Sequence, residues 1–342
     1  MNGHTDGRAP RIVLAGAVNS SRLTFEALQR HQASLVGVLG LSPEHGRRVS
    51  GYVDLAKMAK AAGVDAAGFE NINDERVVQR VADWDPDLLM VVGLSQMVRP
   101  GLLEVPRRGC VGYHPTALPR GRGRAPIAWL THDGTDGTDG AATFFVMTAE
   151  ADAGGILVQE PFVVPRGAYA ADVVSVQSTA ITHALDRWLP RLMEGWWDPM
   201  PQDESRATWN GRRGPADGWI DWSRPAVEIL RTVRTASKPH PGAYTYSGGQ
   251  KLTVWRAELE TDWPIRGSVG RVLVEEPDRG LLVQTGDGLI WLTEVEGINP
   301  PRVGSRLGFV VENELANLAG RMAILERRLE ELTGDRSGQR AA

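Results

Sequence analysis

The sequence predicts an α/β protein: a doubly wound, mostly parallel sheet, then a small β-barrel domain and a C-terminal helix. Three observations carry this. The strands of the first half are unbroken apolar runs, as in a sheet covered on both faces, with helical spacing between them. Beyond Pro239 and Pro241 the pattern changes to short strand-like pieces set apart by turn residues. The chain has 342 residues, 42% of them hydrophobic and 23% charged, which is enough for two domains with ordinary cores.

In order, residues 11–17 (RIVLAGA) read as a buried strand, and Asn19-Ser20-Ser21 as the cap of a helix through LTFEALQRH. Residues 34–41 form a second strand and 53–62 and 74–84 helices, and Pro86 leads into a third apolar strand at 87–93. Such units connect right-handedly, and their ligands sit beyond the carboxyl ends of the strands, so the loops after Gly16, Leu41 and Gly93 come first as binding sites. The sheet continues through 110–113 and 141–147, and a helix over 172–195 closes a domain spanning 10–197. The stretch 198–218 is polar and rich in Gly and Pro, which places a linker at 198–222. After a helix at 225–236, the pieces AYTY, KLTVWRAEL, GSVGRVLV, GLLVQ and LIWLTEV indicate a small antiparallel barrel or sandwich over 223–311, assigned as an OB-like barrel.

The tail, 312–333, has its own pattern. Leu315, Leu318, Met322, Leu325, Leu329 and Leu332 step by alternating threes and fours, with Glu326, Arg327, Arg328, Glu330 and Glu331 around them. That narrow seam is the mark of a coiled coil and points to a homodimer; an amphipathic helix lying on its own domain is the other reading.

Charge and cysteine content exclude several classes. Lys and Arg total 38 against 42 Asp and Glu, a net charge of -4, which argues against bulk nucleic acid as the main partner. The single cysteine, Cys110, rules out a disulfide framework and a multi-Cys zinc site, and no metal is expected. No motif marks an activating base for Cys110, which reads as a small buried residue. No run of 18 apolar residues occurs and the first ten residues lack an apolar signal core, so the expected location is the cytoplasm.

The chemistry concentrates in 109–126, GCVGYHPTALPRGRGRAP. His114 follows a strand and precedes Pro115, which holds its backbone extended. A titratable ring on a rigid strand end is an acid/base candidate, although a histidine there can simply cap the turn. Arg120, Arg122 and Arg124 alternate with Gly121 and Gly123, a pliable cationic loop able to grip a carboxylate or phosphate. Asp152 lies between two strands in AEADAGGIL, where an Asp before two glycines is usually only a turn former.

Together these pieces resemble a family. His114-Pro115-Thr116-Ala117-Leu118-Pro119-Arg120, then Arg122-Gly123-Arg124-Ala125-Pro126, is similar to the signature of formyltransferases that use 10-formyltetrahydrofolate. Asp152-Ala153-Gly154 with Ile156-Leu157 and Gln159 resembles their second active-site loop. Gly211-Arg212-Arg213, Asp217-Gly218, Ile220-Asp221-Trp222 and Pro239 to Tyr244 resemble the junction and second domain of methionyl-tRNA formyltransferases and of nucleotide-sugar formyltransferases. The resemblance covers residues 10–310 and implies a Rossmann-like catalytic domain with 10-formyltetrahydrofolate as cosubstrate. It implies that His114 and Asp152 surround the reacting formyl carbon while a substrate amine attacks it. It also places Gln96, Met97 and Val98 along the pterin pocket, residues 148–152 (Thr148, Glu150 and Ala151 among them) as its other wall, and Arg124 on the folate. The family carries an Asn two residues before the histidine, where this chain has Gly112. Gly112 and His114 share a strand face, so Tyr113 cannot stand in. The lost donor is worth about 2.7–4 kcal/mol of transition-state stabilisation unless water, a backbone N–H, Thr116 or a substrate hydroxyl fills the gap.

For the acceptor, a tRNA requires phosphate-neutralising surface. The segment after the second strand offers only Arg47, Arg48 and Lys57. An amino sugar nucleotide, or another small amine, fits the charge better. Methionyl-tRNA, water (a formyl-folate hydrolase) and a folate- or nucleotide-binding relative impaired at Gly112 are the alternatives.

Overall fold

The computed structural model describes residues 9–47, 49–134, 138–299, 301–309 and 311–338. One compact unit holds the described residues up to Gly218 together with Arg234–Pro241. Its elements run β1 (Arg11–Gly16), α1 (Asn19–Arg30), β2 (Ser34–Leu41), α2 (Pro43–Gly46), α3 (Leu55–Ala61), β3 (Ala66–Phe69), α4 (Glu75–Trp84), β4 (Leu88–Val92), α5 (Pro100–Leu103), β5 (Cys110–His114), β6 (Arg122–Gly123), α6 (Pro126–Asp133), β7 (Thr138–Val146), β8 (Ile156–Val164), α7 (Ala170–Met193) and β9 (Trp209–Asn210).

Seven of these strands form one sheet in the order β3-β2-β1-β4-β5-β7-β8. Pairing is parallel from β3 to β5 and antiparallel at β5–β7 and β7–β8. The unalternated apolar runs now have their cause. Along β4, Leu88, Met90 and Val92 belong to one core and Leu89 and Val91 to another, so both faces of the strand are covered. Cys110 lies in the second core, where burial pushes its thiol up to about 12, and it is no nucleophile at neutral pH. Six elements escape the sequence reading: α2 and α5, four residues each; β3, four residues interrupted by Gly68; β6 and β9, two residues each; and α6, which begins at a proline inside the motif.

Of the stretch expected as a linker, residues 198–218 belong to this first unit and 219–222 to the second. Met200 bridges to Ile156, and β9 pairs in parallel with β6 through Arg122↔Trp209 and Gly123↔Asn210.

The second unit holds Trp219–Val233 and the chain from Gly242. It contains most of α8 (Ala226–Ala236), then β10 (Ala243–Ser247), β11 (Gln250–Glu260), β12 (Val272–Glu276), β13 (Gly280–Gln284), β14 (Leu289–Glu296) and α9 (Val311–Gly338). The sheet is antiparallel, in the order β10-β11-β14-β13-β12. Leu307 bridges to Ser247 at one edge and Arg306 to Arg271 at the other, which closes the sheet on itself. The GSVGRVLV piece becomes a strand only from Val272. In α9, Leu315, Leu318, Met322, Leu325 and Leu329 are all at least half exposed; the side chain of Leu332 lies outside the described ones. Among the described residues no helix is long and apolar enough to cross a membrane.

Candidate functional site

β5 carries His114 to the carboxyl edge of the parallel strands, with its side chain buried. The ring Nε2 donates to the carbonyl oxygen of Gly121 at 2.8 Å. A carbonyl only accepts, so this contact fixes Nε2 as the protonated nitrogen and leaves Nδ1 as the nitrogen whose proton can come and go. Nδ1 faces the Oδ2 of Asp152 at 3.6 Å, too long for a hydrogen bond.

Asp152 is placed by its backbone. It adopts a left-handed conformation (φ 56°) in the turn between β7 and β8, and its Oδ2 accepts from the Gly123 N–H at 2.8 Å. Gly123 is itself at φ 105°, and a Cβ there would stand 2.5 Å from the carbonyl oxygen of Asn210, so only glycine lets the two strands close over the site.

Residues 202–210, which read as linker, bind both site loops. Gln202 donates to the carbonyls of Asp152 and Gly154, each at 2.7 Å, and its Oε1 accepts from Arg122. Glu204 takes the Arg122 guanidinium in a two-pronged contact of 2.6 and 2.8 Å. Thr208 accepts from the Gly121 and Arg122 N–H groups, through its hydroxyl and carbonyl oxygens respectively. The Asn210 carbonyl accepts from Arg124 N–H, and its side-chain Nδ2 stands 3.4 Å from where a Cβ on Gly121 would be. That amide makes no hydrogen bond among the described residues. Gln202, Thr208 and Asn210 contact the loops of the candidate site and were not singled out by the sequence reading. Their only signal was the density of hydrogen-bonding side chains in a stretch that composition marks as linker.

The arginine loop is corrected in one respect. Arg122 is fully buried, with Gln202 and Glu204 on its guanidinium and Trp209 beneath it at 5.5 Å, so it braces the loop and is not available to an anionic substrate. Glu204 raises its pKa, and the guanidinium in turn holds the Glu204 carboxyl below its ordinary range. Arg120 and Arg124 remain exposed.

Gly112 departs most from expectation. It is buried opposite Phe145 on β7, and a Cβ there would meet Phe145 at 2.8 Å and Met147 at 3.0 Å. The place of the expected amide is therefore not an open hole but one filled by two apolar side chains. Strand alternation itself holds. Tyr113 points to the other face, accepts from Gln177 through its hydroxyl at 2.7 Å and packs on Phe144.

Of the residues placed along the pterin pocket, Gln96 spends both ends of its amide on backbone: Oε1 accepts from Ile72 N–H, and Nε2 donates to the Glu70 carbonyl. Val98 is buried in the core and Met97 is exposed. Gln96 and Met97 line a cavity of about 600 Å³ with Ala17, Leu41, Gly93 and Arg99, at the ends of β1, β2 and β4. This is the point where strand order reverses, the usual ligand position in such sheets. Residues 148–152 are not in that lining. Thr148 and Glu150 are exposed at the tip of the Asp152 turn, where the Thr148 hydroxyl donates to the Glu150 carbonyl, and Ala151 is half-buried. Among the described residues no three His, Cys, Asp or Glu side chains converge as metal ligands would.

Comparison with known proteins adds a second line. Residues 12–178 match the family described as formyl transferase, and 213–301 match the formyl transferase C-terminal domain. The chain belongs to the formyltransferase family. Solved relatives share the fold at low identity. HypX from Aquifex aeolicus in complex with tetrahydrofolic acid is 18% identical, with a TM-score of 0.57 over 85% of this chain and 45% of that one. The chain thus spans under half the length of HypX. An N-formyltransferase from Helicobacter canadensis, in complex with folinic acid and dTDP-3-aminofucose, is 12% identical, with a TM-score of 0.59 over 83% of this chain and 98% of that one. Methionyl-tRNA formyltransferase from Clostridium thermocellum is 17% identical, with a TM-score of 0.52 over 84% and 99%. The junction motif of this formyltransferase chain has a structural use: the Gly211 carbonyl accepts from Trp129 Nε1 at 2.8 Å, and the Arg213 guanidinium lies 5.1 Å over the Trp129 ring.

Proposed function

We propose that the protein transfers a formyl group from 10-formyltetrahydrofolate to the amine of a small acceptor, an amino sugar nucleotide being the best fit. The observation that carries the reading is the His114 ring, fixed at Nε2 by Gly121 and facing Asp152 with Nδ1. The amine lone pair attacks the formyl carbon and the carbonyl electrons move to oxygen. As the carbonyl re-forms, the C–N10 bond breaks. The amine gives up one proton and N10 takes one, so a single group that accepts and returns a proton serves both halves. His114 Nδ1 is that group, and the Asp152 carboxylate stabilises the imidazolium between the two transfers. The developing oxyanion requires a donor that position 112 cannot supply, and the Asn210 amide, which makes no hydrogen bond among the described residues and lies beside Gly121, is the group assigned that role. Exposed Arg120 and Arg124 are left for folate or acceptor charge, Arg124 for the folate as its motif position implies.

The net charge of -4 and the few basic residues after β2 favour a nucleotide sugar over tRNA; Arg48, one of the three, lies outside the described residues. The Helicobacter canadensis relative with bound dTDP-3-aminofucose supports an amino sugar nucleotide, although the methionyl-tRNA enzyme shares the fold too. The same reading places the protein in the cytoplasm as a homodimer joined through the seam of α9.

The test is release of tetrahydrofolate from 10-formyltetrahydrofolate with dTDP-3-aminofucose, with methionyl-tRNA and with no acceptor. Release only with the amino sugar nucleotide is expected. Release only with tRNA, or equally without an acceptor, replaces the reading with the tRNA enzyme or the hydrolase. Folate binding with no release under any condition reduces the protein to a binding module.

A further inference from the structure

Helix α9 is 28 residues long, about 42 Å at 1.5 Å per residue. Its apolar residues from Leu315 to Leu329 form one stripe, exposed by 50% at Leu318 and by 59–67% at Leu315, Met322, Leu325 and Leu329. Five large apolar side chains exposed in a row along a helix present an interface surface, since a helix covered by its own domain would bury that stripe. The 3–4 spacing sets the partner's shape: another helix with the same repeat, crossing at a shallow angle. A second copy of this chain is the one partner certain to carry it.

The charges beside the stripe then choose between the two ways of pairing. With Leu315, Met322 and Leu329 at heptad position a, and Leu318 and Leu325 at d, the flanking g positions are Glu314, Arg321 and Arg328 and the flanking e positions are Glu312, Ala319 and Glu326. In a parallel pair in register, each g residue faces the e residue five positions on, so Arg321 of each copy meets Glu326 of the other, twice per dimer by symmetry. An antiparallel pair can keep a-on-d layers in two registers, and in both g faces g and e faces e. With Met322 on Leu318, Glu314 meets Arg328 twice, but Arg321 meets its own copy and Glu312 meets Glu326 twice, so repulsions outnumber attractions. With Met322 on Leu325, the g positions again face each other. Arg321 then meets Arg328, also twice, and both contacts repel. A shift by one heptad in the parallel pair leaves apolar residues unpaired at each end.

Resting on the homodimer reading, we propose that two copies of the chain join through α9 as a parallel, in-register, two-stranded coiled coil with paired Arg321–Glu326 contacts.

The experiment measures the monomer–dimer equilibrium of the full chain by light scattering and sedimentation, with far-UV dichroism to confirm that each variant is folded. The wild type should have the mass of two chains. Arg321→Glu turns two attractions into two repulsions and should raise the dimer Kd about tenfold, and adding Glu326→Arg should restore it. In the antiparallel register with Met322 on Leu325 the same Arg321→Glu would meet Arg328 and tighten the dimer; in the other register it would meet its own copy, one repulsion replacing another, and leave the dimer unchanged. Tightening, or no change, overturns the parallel pairing while the dimer stands. A wild type that is monomeric, or a dimer that survives Leu318→Lys with Leu325→Lys, overturns the seam itself. A mass above two chains overturns the two-stranded form. Leu329→Cys gives a second readout, because the native Cys110 is buried and does not compete. Parallel pairing sets the two new thiols side by side, so oxidation should link the chains. In the antiparallel registers residue 329 lies opposite 318 or 311, at least eleven residues or about 16 Å along the axis, beyond disulfide reach. No cross-link under oxidation therefore also rejects the parallel form.

Discussion

His114 and Gly112 lie two residues apart on one face of β5, yet their surroundings are opposites. The His114 end is polar and braced by three separate stretches: 121–124, the Asp152 turn, and 202–210. The Gly112 end is closed by Phe145 of the neighbouring strand and by Met147 just beyond that strand's end. The difference teaches that a departure from a family's motif need not leave a vacancy. The fold has filled the space beside Gly112 with apolar atoms, so any donor for the reacting oxygen has to come from the braced side.

Removing the ring breaks the comparison most directly. His114→Ala should abolish formyl transfer, a loss of more than about 10³-fold, with folding retained because Thr208 and Gln202 still hold the loops. Tetrahydrofolate release by the purified variant, alongside its dichroism, checks this; turnover near wild type would remove His114 from the chemistry. Asn210→Ala comes next. Losing the one donor should cost about 10²-fold in kcat with little change in KM, because the contact forms in the transition state. A rise in KM alone would make Asn210 a binding residue instead. Asp152→Asn should lower kcat by about 10–100-fold, since the imidazolium formed between the two proton transfers loses its counter-charge. An unchanged kcat leaves Asp152 as a turn former that holds Gly123.

Position 112 sharpens the contrast from the other side. An asparagine there has no room: its first carbon already meets Phe145 and Met147 at 2.8 and 3.0 Å. Gly112→Asn should therefore lower both stability, by about 1–3 kcal/mol as overpacked cores do, and turnover. Denaturant unfolding and kcat together test it. A rise in turnover would show that the apolar wall yields and that the amide finds the oxygen after all.

These expectations separate what the sequence carried from what it hid. The strands of the first unit were legible because both faces are buried, which leaves a run such as Leu88–Val92 no polar residue to break it. His114 and Asp152 were legible as candidates because their turns have distinctive Gly and Pro spacing. The wall at Gly112 was not, because it depends on which strand lies beside β5 and in what register, and antiparallel pairing across a long excursion leaves no local mark. The bracing strand β9 was hidden for another reason. It is two residues long, and it belongs to a stretch whose Gly, Pro and charge content reads as linker although its side chains are spent on the site. Arg122 was misplaced on the same account, since its partners Gln202 and Glu204 are eighty residues away in sequence and adjacent only in the fold.

The smallest effect tests that bracing by itself. Glu204 is mostly exposed, while the guanidinium it holds is fully buried. The Glu204 carboxyl is held below its ordinary 4.5 by the Arg122 hydrogen bonds, so the folded state binds its proton less readily than the unfolded chain does. The stabilisation is therefore complete above the unfolded value and fades as pH falls through the lower, folded one. Glu204→Gln should cost a modest drop in Tm at neutral pH, and the gap to wild type should close in acid, where both side chains are neutral. Exposure screens the pair, so the drop should also shrink at high salt. Because the Arg122 loop sets Gly121 and Gly123, which hold His114 and Asp152, the same variant should raise KM or lower kcat slightly at neutral pH and lose that difference on acidification. A Tm gap that is constant from neutral pH to well below the carboxylate range would mean that Gln202 alone holds Arg122, and that the polar side of β5 is braced by two stretches of chain rather than three.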